Sequence, residues 1–207
     1  MKHLFDKKIL PAVTLADEDS AKRLAEAYLE AGLNVMEVTF RTDATLAAIE
    51  AIARCFPELK VGAGTILHAR QVRSAKDAGA AFGLSPGFSE RVVRAARDNK
   101  LPFIPGIMTP SEIEAAWNAG SELLKLFPAE TAGGTDYIRN LEGPYLHKGL
   151  QLIPMGGVSA RNMSDYLDCS SVVAVGGSWL APKDKIREGD FGSIVDIVRE
   201  SLKKADN

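Results

Sequence analysis

The chain has 207 residues, of which 46% are hydrophobic, 25% charged and 7% aromatic, proportions that suit one soluble globular domain with a sizeable core. A net charge of -2 excludes a basic field able to hold nucleic acid or an anionic membrane by bulk electrostatics, so an anionic ligand needs a local site. Cys55 and Cys169 have no second cysteine at metal or redox spacing, and no segment reaches the about 20 apolar residues of a membrane span, so a cytoplasmic protein with free thiols is expected, without nucleic-acid or membrane partners.

In chain order, short β-branched runs alternate with helical stretches. ILPAVTL at 9–15 predicts the first strand and 17–31 a helix; NVMEVTF at 34–40 is followed by a helix over 43–55, and LKVGAGT at 59–65 by one over 69–78. AAFGLSP at 80–86 precedes a helix over 89–98, LPFIPG at 101–106 one over 110–119, and SELLKLF at 121–127 one near 134–141. LQLIPMG at 150–156, a helix over 160–167, SVVAVGG at 171–177 and an amphipathic C-terminal helix over about 191–204 complete the pattern. Strands that start about 20 to 29 residues apart make eight βα units, the step short loops allow. The expectation is an α/β protein, a single (β/α)8 TIM barrel domain over 1–207; a doubly wound open sheet would show the same alternation. In a barrel the chemistry gathers where the strands end, so the residues closing each strand are the candidates.

Side chains alternate along a strand, so Val35, Glu37, Thr39 and Arg41 share one face of NVMEVTFRT. That sends Glu37 toward the interior and Arg41 to the rim, just before a helix cap at Thr42 or Asp43. The third strand puts Val61, Ala63 and Thr65 on one face, with Thr65 at the rim. In LLKLFPAE, Lys125 shares its inward face with Leu123 and Phe127 while Leu124 and Leu126 turn to helices. A lysine is almost never fully buried unless it is paired or used unprotonated. Burial disfavours the ammonium, and a neutral amine attacks ketones to give an imine, an electron sink for carbon–carbon cleavage; Glu37 fits the matching acid/base. Each residue alone has a plainer reading: a structural ion pair for Lys125 and Glu37, a surface pair or cap for Arg41, an ordinary strand residue for Thr65.

The glycine pairs shift that balance. MGGVS at 155–159 follows the seventh strand and VGGSW at 175–179 the eighth, each opening into an expected helix start. Barrels hold phosphates after strands seven and eight on such backbone N–H groups, which makes Gly156, Gly157, Gly177 and Ser178 the expected phosphate cradle. His3, His68 and His147 are dispersed, no cluster has metal-ligand spacing, and GAGT at 62–65 lacks the third glycine of a dinucleotide fingerprint. His68 reads as a helix start, and Trp117 and Trp179 as packing residues.

Together VMEVTFRT, VGAGT, LSPG, IPGIMTPSE, KLFPAE with its following GG, PMGGVS and VGGSWL resemble the 2-keto-3-deoxy-6-phosphogluconate aldolases, also called 2-keto-4-hydroxyglutarate aldolases, from about Leu10 to Leu180. The resemblance implies a class I aldolase on a (β/α)8 barrel, a homotrimer without metal or cofactor, that cleaves this phosphorylated keto sugar acid to pyruvate and glyceraldehyde 3-phosphate. It implies Lys125 as the imine-forming residue, Glu37 as the acid/base, Arg41 and Thr65 as binders of the pyruvyl carboxylate, and Pro86 and Phe127 as pocket lining. Met155 stands where gluconate-type members carry a threonine expected to hydrogen-bond a substrate hydroxyl, and galactonate-type relatives are apolar there. The lost bond is worth roughly 0.5–1.5 kcal/mol, enough to blur selectivity between epimers. KLFPAE with its downstream GG, and a first strand ending VTLAD without arginine, favour the gluconate type. Cleavage of 2-keto-4-hydroxyglutarate to pyruvate and glyoxylate, and decarboxylation of oxaloacetate, would pass through the same enamine. The rivals are a phosphogalactonate-type or relaxed-specificity pyruvate aldolase and, in other classes, a sugar-phosphate isomerase or epimerase, or a non-catalytic sensor in which Lys125 and Glu37 only pair.

Overall fold

Strand and helix alternate along the chain in the computed structural model, which describes residues 2–206. Met1 and Asn207, the ends of the expected domain, lie outside the described residues. The first half runs β1 (Ile9–Val13), α1 (Glu18–Ala31), β2 (Val35–Thr39), α2 (Thr45–Cys55), β3 (Lys60–Gly64), α3 (Ala69–Asp77), β4 (Phe82–Leu84) and α4 (Glu90–Asp98). The second runs β5 (Phe103–Ile104), β6 (Gly106–Ile107), α5 (Pro110–Asn118), β7 (Leu124–Leu126), α6 (Gly134–Tyr145), β8 (Leu152–Pro154), α7 (Met163–Leu167), β9 (Val175–Gly177), α8 (Lys183–Glu188) and α9 (Phe191–Asp206).

All strand pairs are parallel, in the orders β5-β4-β3-β2-β1-β9 and β6-β7-β8, giving an α/β fold built on a curled parallel sheet. Isolated parallel bridges, Leu152 to Val172 and Met155 to Gly176, link the β8 and β9 segments. Parallel strands with helices over them are covered by apolar neighbours, and β2 is buried at all five positions.

Local chemistry explains where elements start and stop. Asp17 caps α1 by accepting from Ser20 N at 2.7 Å, and Gly32 ends it in the left-handed region at φ 87°. At α5, Pro110 occupies the first turn while Glu112 accepts from the N–H groups of Met108 and Thr109, both at 2.8 Å. His68 starts α3 as expected, with Gln71 Oε1 accepting from its N–H at 2.9 Å.

Three expectations are corrected, and one helix goes unannounced by the sequence. The fifth strand is split into β5 and β6 at Pro105, which has no N–H for the ladder, although its carbonyl accepts from Lys125 N at 2.9 Å. Neither Thr42 nor Asp43 caps α2, which starts at Thr45; the Thr42 hydroxyl donates to Leu15 O at 2.6 Å and the Thr45 hydroxyl to Thr39 O at 2.9 Å. The helix expected from 160 begins only at Met163, because Asn162 Oδ1 accepts from Ser159 N at 2.8 Å and holds a turn there. The short charged helix α8, sequence KDKIRE, has no apolar periodicity that would have announced it.

Among the described residues no helix is long and apolar enough to cross a membrane, and no cluster of three metal-ligating side chains occurs. Cys55 is exposed, Cys169 is buried, and both are free. Trp117 packs edge-on against Tyr145, and Trp179 Nε1 donates to Ser201 Oγ at 3.4 Å.

Candidate active site

Lys125 sits in the middle of β7, between Gly106 of β6 and Ile153 of β8 in register, so its backbone is fixed on both edges. Its neighbours Leu124 and Leu126 are fully buried on the opposite face, which turns Lys125 inward. Across the interior β2 presents Glu37, and Lys125 Nζ lies 3.5 Å from Glu37 Oε1 with side chains only 7% and 1% exposed. Glu37 Oε2 is buried without a hydrogen-bond partner among the described residues. A buried carboxylate oxygen left without a donor is costly in a purely structural pair, and available in a reacting one. The Lys125 nitrogen also stands 5.3 Å from the centroid of the Phe127 ring.

The third strand makes room for this pair. β3 is in register with β2 so that Gly62 pairs with Glu37 and Gly64 with Thr39. Partners in register share a face, so Gly62 and Gly64 face the interior beside Glu37, while Val61 and Ala63 are buried on the helix side. A Cβ at Gly64 would overlap Glu37 Oε1, which is the physical reason for glycine in VGAGT.

Glu37, Arg41, Lys125, Phe127 and Met155 line one cavity of about 260 Å³, together with Gly156, Gly157, Gly177 and Ser178. The cavity also takes in Ala12, Thr39 and Val158, which the sequence reading did not name as site residues. Thr39 shares the face of Glu37, and its rotamer is set by donation to Val13 O at 2.9 Å and contact with Thr14 Oγ1 at 2.9 Å. Strand alternation was the signal available for Ala12 and Thr39.

Thr65 and Pro86 are not among the residues lining this cavity. Thr65 has a left-handed backbone at φ 58°, so strand alternation no longer says where its side chain goes. Pro86 is a backbone wedge against β6, where a Cβ on Gly106 would overlap its carbonyl. Met155 is 2% exposed and packs against Gly176, whose Cβ would stand 2.6 Å from the Met155 terminal methyl.

Gly156 and Gly157 both lie at φ 87°, a conformation that L side chains rarely adopt, and this bends the loop after β8 around the cavity. The expected helix starts behind the two glycine pairs are corrected. Only the five-residue α7 follows the first, six residues past Gly157, and a 3-10 turn over Ser178–Leu180 follows the second. Donors at this end are therefore loop amides; among the described residues the N–H groups of Gly157 and Val158 have no protein acceptor. Successive amides in such a bend form a concavity suited to an anion.

A larger cleft of about 520 Å³ lies at the opposite ends of the strands, near Arg97, Leu101 and Gln151, but among the described residues it holds no buried ion pair. Size does not locate the chemistry here; the buried amine and carboxylate do.

The family model described as KDPG and KHG aldolase matches residues 1–197. The chain is 39% identical to the KHG/KDPG aldolase of Escherichia coli (strain K12), over 95% of this chain and 92% of that one. It is 37% identical to a 2-dehydro-3-deoxy-phosphogluconate aldolase of Pseudomonas aeruginosa, over 96% and 90%. The structure superposes on the KDPG aldolase of Legionella pneumophila, solved with pyruvate captured as a covalent carbinolamine, with a TM-score of 0.92, 31% identity and 96% of each chain covered. From the matched span and these identities, the chain belongs to the KDPG and KHG aldolase family of lyases.

Proposed function

We propose that the protein is a class I aldolase that cleaves 2-keto-3-deoxy-6-phosphogluconate to pyruvate and glyceraldehyde 3-phosphate, and also 2-keto-4-hydroxyglutarate to pyruvate and glyoxylate. The observation that carries this reading is the buried approach of Lys125 Nζ to Glu37 Oε1 at 3.5 Å on the wall of a cavity rimmed by both glycine pairs. The neutral Lys125 amine adds to the C2 ketone, and the carbinolamine loses water to give an iminium. Glu37 takes the C4 hydroxyl proton as the C3–C4 bond breaks; the electron pair moves into the iminium, the aldehyde leaves, and protonation and hydrolysis of the enamine release pyruvate. Arg41, exposed at the rim, is the cation for the pyruvyl carboxylate, with Thr65 beside Gly64 as its second expected partner. Phe127 and Pro86 are the expected apolar walls. Gly156, Gly157, Gly177 and Ser178 take the distal phosphate on backbone donors.

A second reading, relaxed or galactonate-type specificity, is favoured by Met155, whose buried thioether side chain offers a C4 or C5 hydroxyl no hydrogen bond of useful strength. Replacement by threonine restores a hydroxyl, so Met155→Thr is expected to raise discrimination between gluconate and galactonate epimers by up to about tenfold in kcat/KM.

The curled sheet is proposed to close as a single-domain (β/α)8 barrel. The two bridges between the β8 and β9 segments support closure on one side, and the single residue Pro105 between β5 and β6 supports it on the other. A cytoplasmic homotrimer is proposed from the family resemblance. The reaction is tested by incubating the protein with 2-keto-3-deoxy-6-phosphogluconate and quantifying products. Equal amounts of pyruvate and triose phosphate are expected, whereas a six-carbon product would point to an isomerase, and binding without turnover to a sensor.

A further inference from the structure

KLFPAE ends in Glu130, a carboxylate that the reaction above does not use. Its backbone N donates to Gly156 O at 3.0 Å. Its Oε2 accepts from the Tyr166 phenol at 2.6 Å and from Asn162 Nδ2 at 3.2 Å. Asn162 Nδ2 also donates to Gly157 O at 3.2 Å, while its Oδ1 accepts from Ser159 N at 2.8 Å and Ser159 Oγ at 3.1 Å. Gly157 leaves no slack, since a Cβ there would overlap the Cβ of Glu130. Tyr166 is buried, and burial first, then its bond to Glu130, push the phenol pKa up, which keeps it a donor.

The loop over 156–159 is therefore tied at Gly156 by the Glu130 backbone N–H, and at Gly157 and Ser159 by the Asn162 side-chain amide, which the Glu130 carboxylate holds in place. These ties engage the carbonyls of both glycines and leave the N–H groups of Gly157 and Val158 without a protein acceptor among the described residues. Glu130 cannot itself serve an anion, because an ionised carboxylate only accepts hydrogen bonds.

We infer that Glu130, acting through Asn162 and with Tyr166 behind it, is a positioning residue that holds the 156–159 loop in its anion-accepting conformation. The inference rests on the phosphate reading of that loop. Its effect should fall on recognition of the phosphate and leave the imine chemistry at Lys125 unchanged, a split that a merely structural role would not produce.

The test compares Glu130→Ala, Glu130→Gln, Asn162→Ala and Tyr166→Phe with the wild type. Each is assayed on the phosphorylated keto acid and on unphosphorylated 2-keto-4-hydroxyglutarate, with inorganic phosphate as inhibitor. Glu130→Ala and Asn162→Ala are expected to raise KM for the phosphorylated acid, and the inhibition constant for phosphate, by about tenfold. Tyr166→Phe should give a smaller rise of about threefold, and Glu130→Gln, which keeps an acceptor oxygen, should recover most of the loss. Kinetics on hydroxyglutarate should stay within about twofold. Equal losses on both substrates, or unaltered phosphate inhibition in the folded variants, overturn the inference. A wild type that phosphate does not inhibit removes the cradle reading itself, and the inference with it, through a separate readout. Tyr166→Phe loses a single oxygen and keeps the comparison decisive if Glu130→Ala fails to fold.

Discussion

Among the described residues Lys125 and Glu37 are each other's only close counter-charge in the interior, and this gives the pair a stability signature separate from its chemistry. Lys125→Met leaves a buried carboxylate uncompensated and should cost about 3–5 kcal/mol at neutral pH, with Glu37→Gln as a second change recovering part of it. Urea unfolding measures both, and a Lys125→Met protein as stable as the wild type would show that the pair is not desolvated. Gly64→Ala probes geometry with both groups retained. The new methyl must push the Glu37 carboxylate aside, and kcat should fall about 100-fold, as a displacement of about 1 Å does in a reacting constellation. A Gly64→Ala enzyme with wild-type kcat would mean that Glu37 does not need its observed place. Strand alternation was enough to read Glu37, Arg41, Lys125 and Phe127 onto one site from the sequence. It does not reach Thr65, because one left-handed residue ends the two-residue period, and no letter in VGAGT announces that backbone angle.

Among the elements, the two glycine loops and the C-terminal helix show how far local signals reach. GG after the seventh and eighth strands was legible, and Gly156, Gly157, Gly177 and Ser178, the residues of the expected cradle, all line the cavity. The helix expected behind the first pair starts only at Met163, because the Ser159–Asn162 bonds make a turn of residues that propensity alone would let continue a helix, and a 3-10 turn over Ser178–Leu180 follows the second. At α9 a similar device is titratable. Asp190 accepts from Lys185 Nζ at 2.7 Å, from Ser193 Oγ at 2.7 Å and from Ser193 N at 3.1 Å, and these bonds, the Lys185 ammonium first, bring its pKa down to about 2. A depressed carboxylate pKa stabilises the fold above the unfolded value of about 3.9, and the contribution is lost as pH falls toward about 2. The difference in Tm between wild type and Asp190→Ala should be present at pH 6 and shrink steadily between about pH 4 and pH 2. A difference independent of pH over that range would assign the loss to packing.

The molecule as a whole is where sequence reading and structure differ in kind. The order of strands and helices was legible because each strand is a short β-branched or apolar run between turn residues. Sheet closure was not, since a parallel ladder is a matter of register between segments far apart in the chain, and Pro105 interrupts one strand at the point where the two sheets meet. The proposed homotrimer is a whole-molecule property as well. Leu67 at 54% and Met108 at 41% exposure stand on loops that follow β3 and β6, apolar surface that a partner copy would cover. Sedimentation equilibrium should return three times the 22.2 kDa chain mass, and a single-chain mass across micromolar concentrations would contradict the trimer.

The proposed chemistry depends on Lys125 as the nucleophile. Incubation with pyruvate and borohydride, followed by intact mass and peptide mapping, tests it most directly. One reduced pyruvyl group per chain is expected, carried by the peptide containing Lys125 and absent from Lys125→Met. A folded protein that binds pyruvate yet carries no adduct, or carries it on another lysine, would contradict it.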